Sequence, residues 1–125
     1  MRFTFKREEK LKSRKLIEKL FEKGDSITEF PLRMIFLKIE HKSNYKVQAS
    51  FSVSKLRFKK AVDRNRIKRL MRECYRTNKH TIYQNIKEKH IIMFTYLDEK
   101  EYKYVELEEK MINLIRKFIQ KTKKE

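Results

Sequence analysis

The alternation of apolar and polar side chains predicts strands in three parts of the chain. Residues 46–53 alternate with the two-residue period of a strand that has one buried face. The run at residues 32–39, after Pro31, is rich in apolar and aromatic residues and also suits a strand. Residues 41–44 fit a turn between these two segments, so we expect a hairpin. The continuous apolar run at residues 90–97 predicts an interior strand.

Apolar residues at helical spacing predict three helices. The first begins after Ser13, a plausible N-cap, and stops at Gly24. A second helix is expected over residues 58–79, and a third over residues 105–121. The apolar positions of the second are Ile67, Leu70, Met71 and Cys74. Those of the third are Leu107, Met111, Leu114, Ile115, Phe118 and Ile119.

The order of these elements is α-β-β-α-β-α, and a further strand could lie within residues 30–53. A chain of 125 residues has the length of one ordinary domain. We therefore expect a single α+β domain, residues 1–125, with helices packed on one sheet.

The charge is strongly unbalanced, with 34 Lys and Arg against 17 Asp and Glu, a net charge of +17. Such an excess opposes compaction unless an anionic partner neutralises it. The composition therefore predicts a polyanionic partner, most simply nucleic acid. The alternative is a basic surface that binds nothing specific.

Cysteine and histidine usage argues against a disulfide and against a protein-bound metal. Cys74 is the only cysteine, and the three histidines do not have metal-ligand spacing. Residues 1–15 do not resemble a signal peptide, and no run is apolar enough to span a bilayer. We expect a cytoplasmic protein that does not bind membranes.

The positive charge is concentrated in residues 55–76, where only Asp63 and Glu73 oppose it. The basic residues are Lys55, Arg57, Lys59, Lys60, Arg64, Arg66, Lys68, Arg69, Arg72 and Arg76. Three of them repeat every four residues and are expected to form a row on the side of the helix opposite its apolar positions. These are Arg64, Lys68 and Arg72, and Asn65 and Arg69 repeat the pattern one residue along.

This row suits the phosphates of a folded nucleic acid, because cations recur about every 6 Å and arginine offers a bidentate fork. The helix N-terminus that follows the basic segment also favours anions. The alternative is an ordinary solvated helix face, but such faces usually alternate in sign.

The segment FSVSKLRFKKAVDRNRIKRLMRECYR resembles the signature of the bacterial ribonuclease P protein component. The resemblance centres on the triplet Arg64, Asn65 and Arg66, followed by Ile67, Lys68 and Arg69. It extends more weakly over most of the chain. It implies an αβββαβα architecture with a left-handed β-α-β crossover, although the general rule favours the right-handed form.

The resemblance also implies a function. Ribonuclease P removes the 5′ leader from precursor tRNA, and in bacteria its RNA subunit performs the hydrolysis with Mg²⁺ held mainly by RNA. The protein would then be a non-catalytic subunit that has no metal site and binds the catalytic RNA and precursor tRNA. No protein partner is predicted. The expected RNA contacts are Lys55, Arg57, Lys59, Lys60, Arg64, Asn65, Arg66, Lys68, Arg69 and Arg72. The uncharged Asn65 is expected to hydrogen-bond or to order water around a metal.

A second surface implied by the resemblance is a cleft between the first helix and the sheet, which holds the single-stranded leader. The family has two aromatic residues four positions apart on this helix, and the matching residues here are Ile17 and Phe21. Ordinary core packing is the alternative for both. Lys12 and Arg14 would line the same end, and Ile35 or Phe36 would face it from the sheet.

Three other functions remain open at this point. A structural RNA-binding protein of the ribosome has similar charge and size. A DNA-binding regulator would use the basic helix in a major groove, but residues 55–80 lack the glycine turn of a helix-turn-helix. A nuclease without an RNA subunit would need a catalytic constellation that the sequence does not contain.

Overall fold

The structure is a computed structural model that describes residues 4–123. Its elements, in chain order, are a 3-10 turn at Arg7–Glu9, α1 at Arg14–Lys23, β1 at Asp25–Glu29, β2 at Leu32–Lys38, β3 at Val47–Val53, α2 at Ala61–Asn78, α3 at His80–Asn85, β4 at His90–Tyr96 and α4 at Tyr104–Lys123. The predicted helices and strands are present, so the α+β assignment is confirmed. No helix in this part of the chain is long and apolar enough to cross a membrane.

The sheet has four strands in the order β1-β2-β4-β3. β1 and β2 form an antiparallel hairpin around the cis peptide bond Phe30–Pro31. β2 pairs with β4 antiparallel, and β3 pairs with β4 in parallel. The expected left-handed crossover corresponds to the parallel unit β3-α2-β4, and its hand stays a prediction.

The expected hairpin between residues 32–39 and 46–53 is wrong, because β4 lies between the two strands. β4 is apolar and buried on both faces, so it is most stable at the centre of the sheet. The extra strand is also not inside residues 30–53. It is β1, whose mixed sequence DSITE is largely exposed and lacks a strong strand pattern.

The two faces of the sheet are covered by different helices. Side chains on one face pack with α2 and α4 into the main core, which includes Met34, Phe36, Ala49, Ile92 and Phe94. Side chains on the other face pack under α1 in a smaller cluster, which includes Leu20, Ile35, Ile91 and Met93. Strand alternation therefore decides which side chains meet α1 and which meet α4.

The boundaries of α1 are those expected. The Ser13 hydroxyl accepts a hydrogen bond from the backbone N–H of Leu16, and the helix ends at Lys23. Gly24 does not end the helix through a left-handed conformation, because its φ is −72°. A Cβ at Gly24 would instead lie 2.4 Å from the carbonyl oxygen of Leu20. Glycine is required here by a close backbone approach.

The predicted second helix, residues 58–79, is divided in the structure. α2 ends at Asn78, and the six-residue α3 follows at His80–Asn85. The sequence did not indicate α3, because Ile82 is its single fully buried side chain and one such position cannot set a helical period. Near this junction the buried Glu9 pairs with Lys79, which connects the N-terminal segment to the end of α2.

Candidate nucleic-acid interface

The basic segment begins in the loop between β3 and α2, residues 54–60. The buried Phe58 anchors this loop against Tyr96, with ring centroids 5.9 Å apart. The backbone N–H of Phe58 also donates to the Ser54 carbonyl oxygen. The loop therefore has a fixed base, and its charged side chains point into solvent. The exposed cations are Lys55, Arg57, Lys59 and Lys60.

α2 buries one side and leaves a basic side exposed. The buried residues are Ile67, Met71, Cys74 and Tyr75, whereas the predicted core residue Leu70 is half-buried. The exposed side carries Asn65 and Arg69, together with the apolar Val62. At 100° per residue these two lie opposite the core, a position expected for the row of Arg64, Lys68 and Arg72. That row is half-buried and flanks the core instead.

The flanking row lies beside the edge strand β3. The guanidinium carbon of Arg72 is 5.9 Å from the ring centroid of Phe51 on that strand. Tyr75, which follows on the same side of the helix, packs against Phe51 at 5.9 Å between ring centroids. The guanidinium of Arg72 thus lies over a ring of the sheet, and the side chain is half-buried.

Arg64 has a structural role in addition to its charge. Its Nη1 donates to the carbonyl oxygens of Phe58 and Lys59, at 2.8 Å each. These contacts fasten the basic loop to the first turn of α2, where the N-cap residue Lys60 provides no side-chain cap. Arg64 therefore orders the interface and has fewer donors left for RNA.

Arg66 is paired with two acids. It contacts Asp63 one turn earlier and Glu101 in the loop between β4 and α4. Hydrogen bonds from Arg66 lower the pKa of Glu101, and the hydrogen bonds to Glu101 and Asp63 raise the pKa of Arg66. Asp63 and Glu73 were the acids expected to oppose the basic segment, whereas Glu101 was not expected, because it is 35 residues away from Arg66 in the chain.

The other expected cations have no acidic partner among residues 4–123, apart from Arg76, which pairs with Glu73. The unpaired set is Lys55, Arg57, Lys59, Lys60, Arg64, Lys68, Arg69 and Arg72. The charge on this side of the molecule is therefore available to an external anion.

The residues expected in the leader cleft are only partly brought together. Lys12 and Arg14 are exposed at the start of α1, Ile17 is half-buried, and Phe21 is 60% exposed. Ile35 faces α1 in the smaller cluster.

Phe36 is excluded from this cleft, because strand alternation points it to the opposite face. Its ring packs against Phe118 of α4, with centroids 5.0 Å apart. Of these two residues only Ile35 faces α1, and its side chain is buried there.

The α1 face of the sheet also carries polar side chains that were not predicted from the sequence. Cross-strand register places Ser52 beside Thr95, and Thr95 beside Arg33. Ser50 lies two residues before Ser52 and shares its face. The serines are visible in the alternation of β3, but that Thr95 lies between Ser52 and Arg33 depends on strand order.

Comparison with known proteins identifies the family. The family model described as Ribonuclease P matches residues 5–119. The chain belongs to the ribonuclease P protein family. The matched range contains the whole basic segment and all four strands, so the family resemblance found in the sequence is confirmed.

Relatives of the ribonuclease P family agree with this assignment. The ribonuclease P protein component of Porphyromonas gingivalis is 40% identical over 90 residues, which are 71% of this chain and 65% of that protein. The match thus spans slightly less than two thirds of the relative's length.

Two solved ribonuclease P proteins share the fold. That of Thermotoga maritima has a TM-score of 0.69 at 24% identity and covers 87% of this chain and 96% of its own. That of Staphylococcus aureus has a TM-score of 0.66 at 18% identity, covering 86% and 93%. The alternative of a ribosomal protein is not supported by these comparisons.

Proposed function

We propose that this chain is the protein subunit of a ribonuclease P ribonucleoprotein, which removes the 5′ leader from precursor tRNA. In this proposal the RNA subunit performs the chemistry and the protein binds both RNAs. Two observations support the proposal: the family model matches residues 5–119, and within this range most cations on the surface of α2 lack an acidic partner. Unpaired cations on a fixed helix suit a folded phosphate backbone.

The catalytic RNA would contact the loop at residues 54–60 and the exposed side of α2. Arg69 is an exposed arginine on the core-opposed side, near Asn65. Lys68 and Arg72 would reach phosphates from the β3 side. Arg64 would contribute mainly by fastening the loop to the helix, because its Nη1 is bound to two carbonyl oxygens.

The precursor tRNA leader would lie between α1 and the polar part of the sheet face. Single strands are bound by aromatic surfaces in basic grooves. Phe21 supplies an exposed ring, Lys12 and Arg14 supply charge, and the half-buried Ile17 supplies an apolar contact, whereas Ile35 is buried beneath α1 and supports the surface from below. Ser52 and Thr95 add hydroxyl groups on the same face of the sheet.

Mg²⁺ in this proposal is held by the RNA, where it would activate water and stabilise the leaving oxygen. The described residues do not fit a protein-held ion, since none of their His, Cys, Asp and Glu side chains form a group of three or more. The acids nearest the basic segment, Asp63, Glu73 and Glu101, are all paired with arginines.

Reconstitution tests the proposal directly. Purified protein, combined with a bacterial ribonuclease P RNA, should lower the Mg²⁺ concentration required for cleavage. It should also increase the affinity for tRNA that carries a leader relative to the affinity for mature tRNA. Cleavage is measured by gel analysis of end-labelled precursor. The same Mg²⁺ requirement with and without protein would refute the proposal, as would cleavage by the protein alone.

Charge reversal tests the α2 surface. Arg69→Glu should weaken binding to the ribonuclease P RNA without changing the thermal melting curve. Lys87→Glu is the matched control, because Lys87 is exposed and precedes β4, at the end of the sheet away from the start of α2. Equal losses in both variants would mean that net charge alone governs binding.

The salt dependence gives a second measure of this surface. If about six phosphates are neutralised, a plot of the logarithm of the RNA-binding constant against the logarithm of the salt concentration should have a slope of about −5. A nearly flat dependence would contradict phosphate binding by the α2 surface.

The leader surface is tested with two exposed phenylalanines. Phe21→Ala should reduce the preference for leader-bearing substrate by about tenfold, within the range of roughly 1–3 kcal/mol per stacked base. Phe30→Ala is the control, because Phe30 is 55% exposed but lies at the β1–β2 turn. An unchanged preference in Phe21→Ala would remove stacking on α1 from the proposal.

A further inference from the structure

Arg66, in the middle of the basic segment, is held by a carboxylate from a distant loop. Its Nε donates to Glu101 Oε1 at 2.9 Å and its Nη2 to Glu101 Oε2 at 2.8 Å, a bidentate pair. Nη2 also donates to Asp63 Oδ1 at 2.7 Å. Two acids therefore fix the orientation of one guanidinium on a surface that otherwise carries mostly unpaired cations.

The loop that presents Glu101 is itself ordered by side-chain hydrogen bonds. Asp98 accepts from the backbone N–H groups of Glu99 and Lys100, and from the Tyr102 hydroxyl at 2.5 Å. The buried Tyr96 donates its hydroxyl to the Lys100 carbonyl oxygen at 2.5 Å. Glu101 therefore reaches Arg66 from a constrained loop, and the pair is not a chance meeting of two flexible side chains.

The pairing limits which part of Arg66 can bind RNA. A guanidinium has five N–H donors. The N–H of Nε and both N–H groups of Nη2 are directed to Glu101 and Asp63, which leaves the two N–H groups of Nη1. The side chain is 51% exposed, so Nη1 can reach an external acceptor.

A surface concavity lies beside this arginine. It has a volume of about 340 Å³ and is lined by Val62, Asn65, Arg66 and Arg69. Asn65 and Arg69 supply further donors to the same space, and both are exposed. Three donor side chains around one concavity, of which Arg66 is held in place, suit the binding of a phosphate group.

We propose that Glu101 is a positioning and specificity residue for RNA binding, and that it acts by holding Arg66 so that only Nη1 faces the phosphate. This inference rests on the proposed function. A guanidinium held in advance loses less conformational entropy when a phosphate of matching geometry arrives. RNA without that geometry gains nothing from the fixed orientation and is repelled by the Glu101 charge within about 10 Å. Glu101 therefore increases the difference in affinity between fitting and non-fitting RNA.

The test compares binding of a bacterial ribonuclease P RNA with binding of polyuridylate at several salt concentrations. Glu101→Gln removes the negative charge and weakens the bidentate contact with Arg66. It should raise polyuridylate affinity and lower the affinity ratio of ribonuclease P RNA to polyuridylate by about threefold, the size expected for an exposed bidentate pair. Glu99→Gln is the control of equal charge change, because Glu99 is exposed and has no ion pair within residues 4–123. Its ratio should remain unchanged.

Two further variants separate position from charge and guard against misfolding. Glu101→Asp keeps the charge, but its side chain is too short to hold the same bidentate geometry. The affinity ratio of ribonuclease P RNA to polyuridylate should therefore also fall, while polyuridylate binding stays constant. In an Arg66→Lys background, Glu101→Gln should no longer change the ratio, because an ammonium group cannot form the fork. Thermal melting of each variant verifies the fold.

The outcomes are distinguishable. If Glu101→Gln raises both affinities equally, as Glu99→Gln does, Glu101 acts only through long-range charge and the inference is wrong. A wild-type ratio in Glu101→Asp would also overturn it. If the wild-type protein does not prefer ribonuclease P RNA to polyuridylate, the proposed function itself fails.

Discussion

The buried pair of Glu9 and Lys79 offers a test of what connects the N-terminal segment to the helical layer. The Glu9 side chain is 1% exposed and that of Lys79 is 9% exposed, and Lys79 Nζ donates to Glu9 Oε1. The Tyr83 hydroxyl donates to the same oxygen at 2.9 Å, and the backbone N–H of Lys6 donates to Oε2 at 2.6 Å. The Lys79 ammonium group also lies 5.8 Å from the Phe5 ring centroid.

Removing only the lysine should be costly. Lys79→Met leaves the Glu9 carboxylate buried with two donors but without its countercharge, which costs about 3–5 kcal/mol. With a urea m-value of about 2 kcal/mol/M, the unfolding midpoint should fall by about 2 M. Long-range repulsion alone predicts that Lys79→Met stabilises the protein, because a chain of net charge +17 gains stability when it loses a cation.

The double variant Glu9→Gln with Lys79→Met should recover most of this loss. Glutamine keeps an acceptor for the Tyr83 hydroxyl and carries no charge, so the remaining cost should be about 1 kcal/mol. Lys117→Met is the control, because it breaks the partly exposed pair with Glu29 and should cost less than about 1 kcal/mol.

Urea denaturation followed by circular dichroism measures all three variants. The reasoning is refuted if Lys79→Met costs no more than Lys117→Met. It is also refuted if the double variant is as unstable as Lys79→Met, because the loss would then come from packing and not from an uncompensated charge.

Three further predictions concern single residues. Gly24→Ala should destabilise the protein by about 1–3 kcal/mol, since its Cβ would meet the Leu20 carbonyl oxygen, and a raised melting temperature would contradict this. Burial raises the pKa of the Cys74 thiol to about 12, so Cys74 should resist a thiol reagent at pH 8 until the protein unfolds; rapid native labelling would contradict its burial. A hydrogen bond from Lys117 lowers the pKa of Glu29, so this pair should stabilise the fold above the unfolded pKa and lose that effect as pH falls through the lowered value; Lys117→Met should flatten stability between about pH 5 and 3.

Element prediction succeeded where one strong period dominates a segment. The alternation that ends at Val53 and the apolar stripe of α4 both mark their elements within a few residues. It failed for β1 and α3, which are short and have few buried side chains. Their structure depends on neighbours, because β1 is held by its pairing with β2 and by ion pairs to α4.

The residues of the candidate site also fall into a group that the sequence predicts and a group that it does not. Residues 55–76 could be identified because their charge is local in sequence. The side of the sheet on which Phe36 lies could not be predicted, because a strand that is apolar on both sides does not indicate which side meets α1. The pairing of Arg66 with Glu101 depends on where the β4–α4 loop lies relative to α2.

The amino-acid sequence alone determined the net charge, the basic segment, most helices and strands, and the family resemblance. These follow from backbone periodicity and composition, which act within a few residues. Only the tertiary structure decided that β4 separates β2 from β3, that Lys79 meets Glu9, and that Glu101 holds Arg66. Such contacts join segments distant in the chain, and the free energy of burying whole faces together selects them.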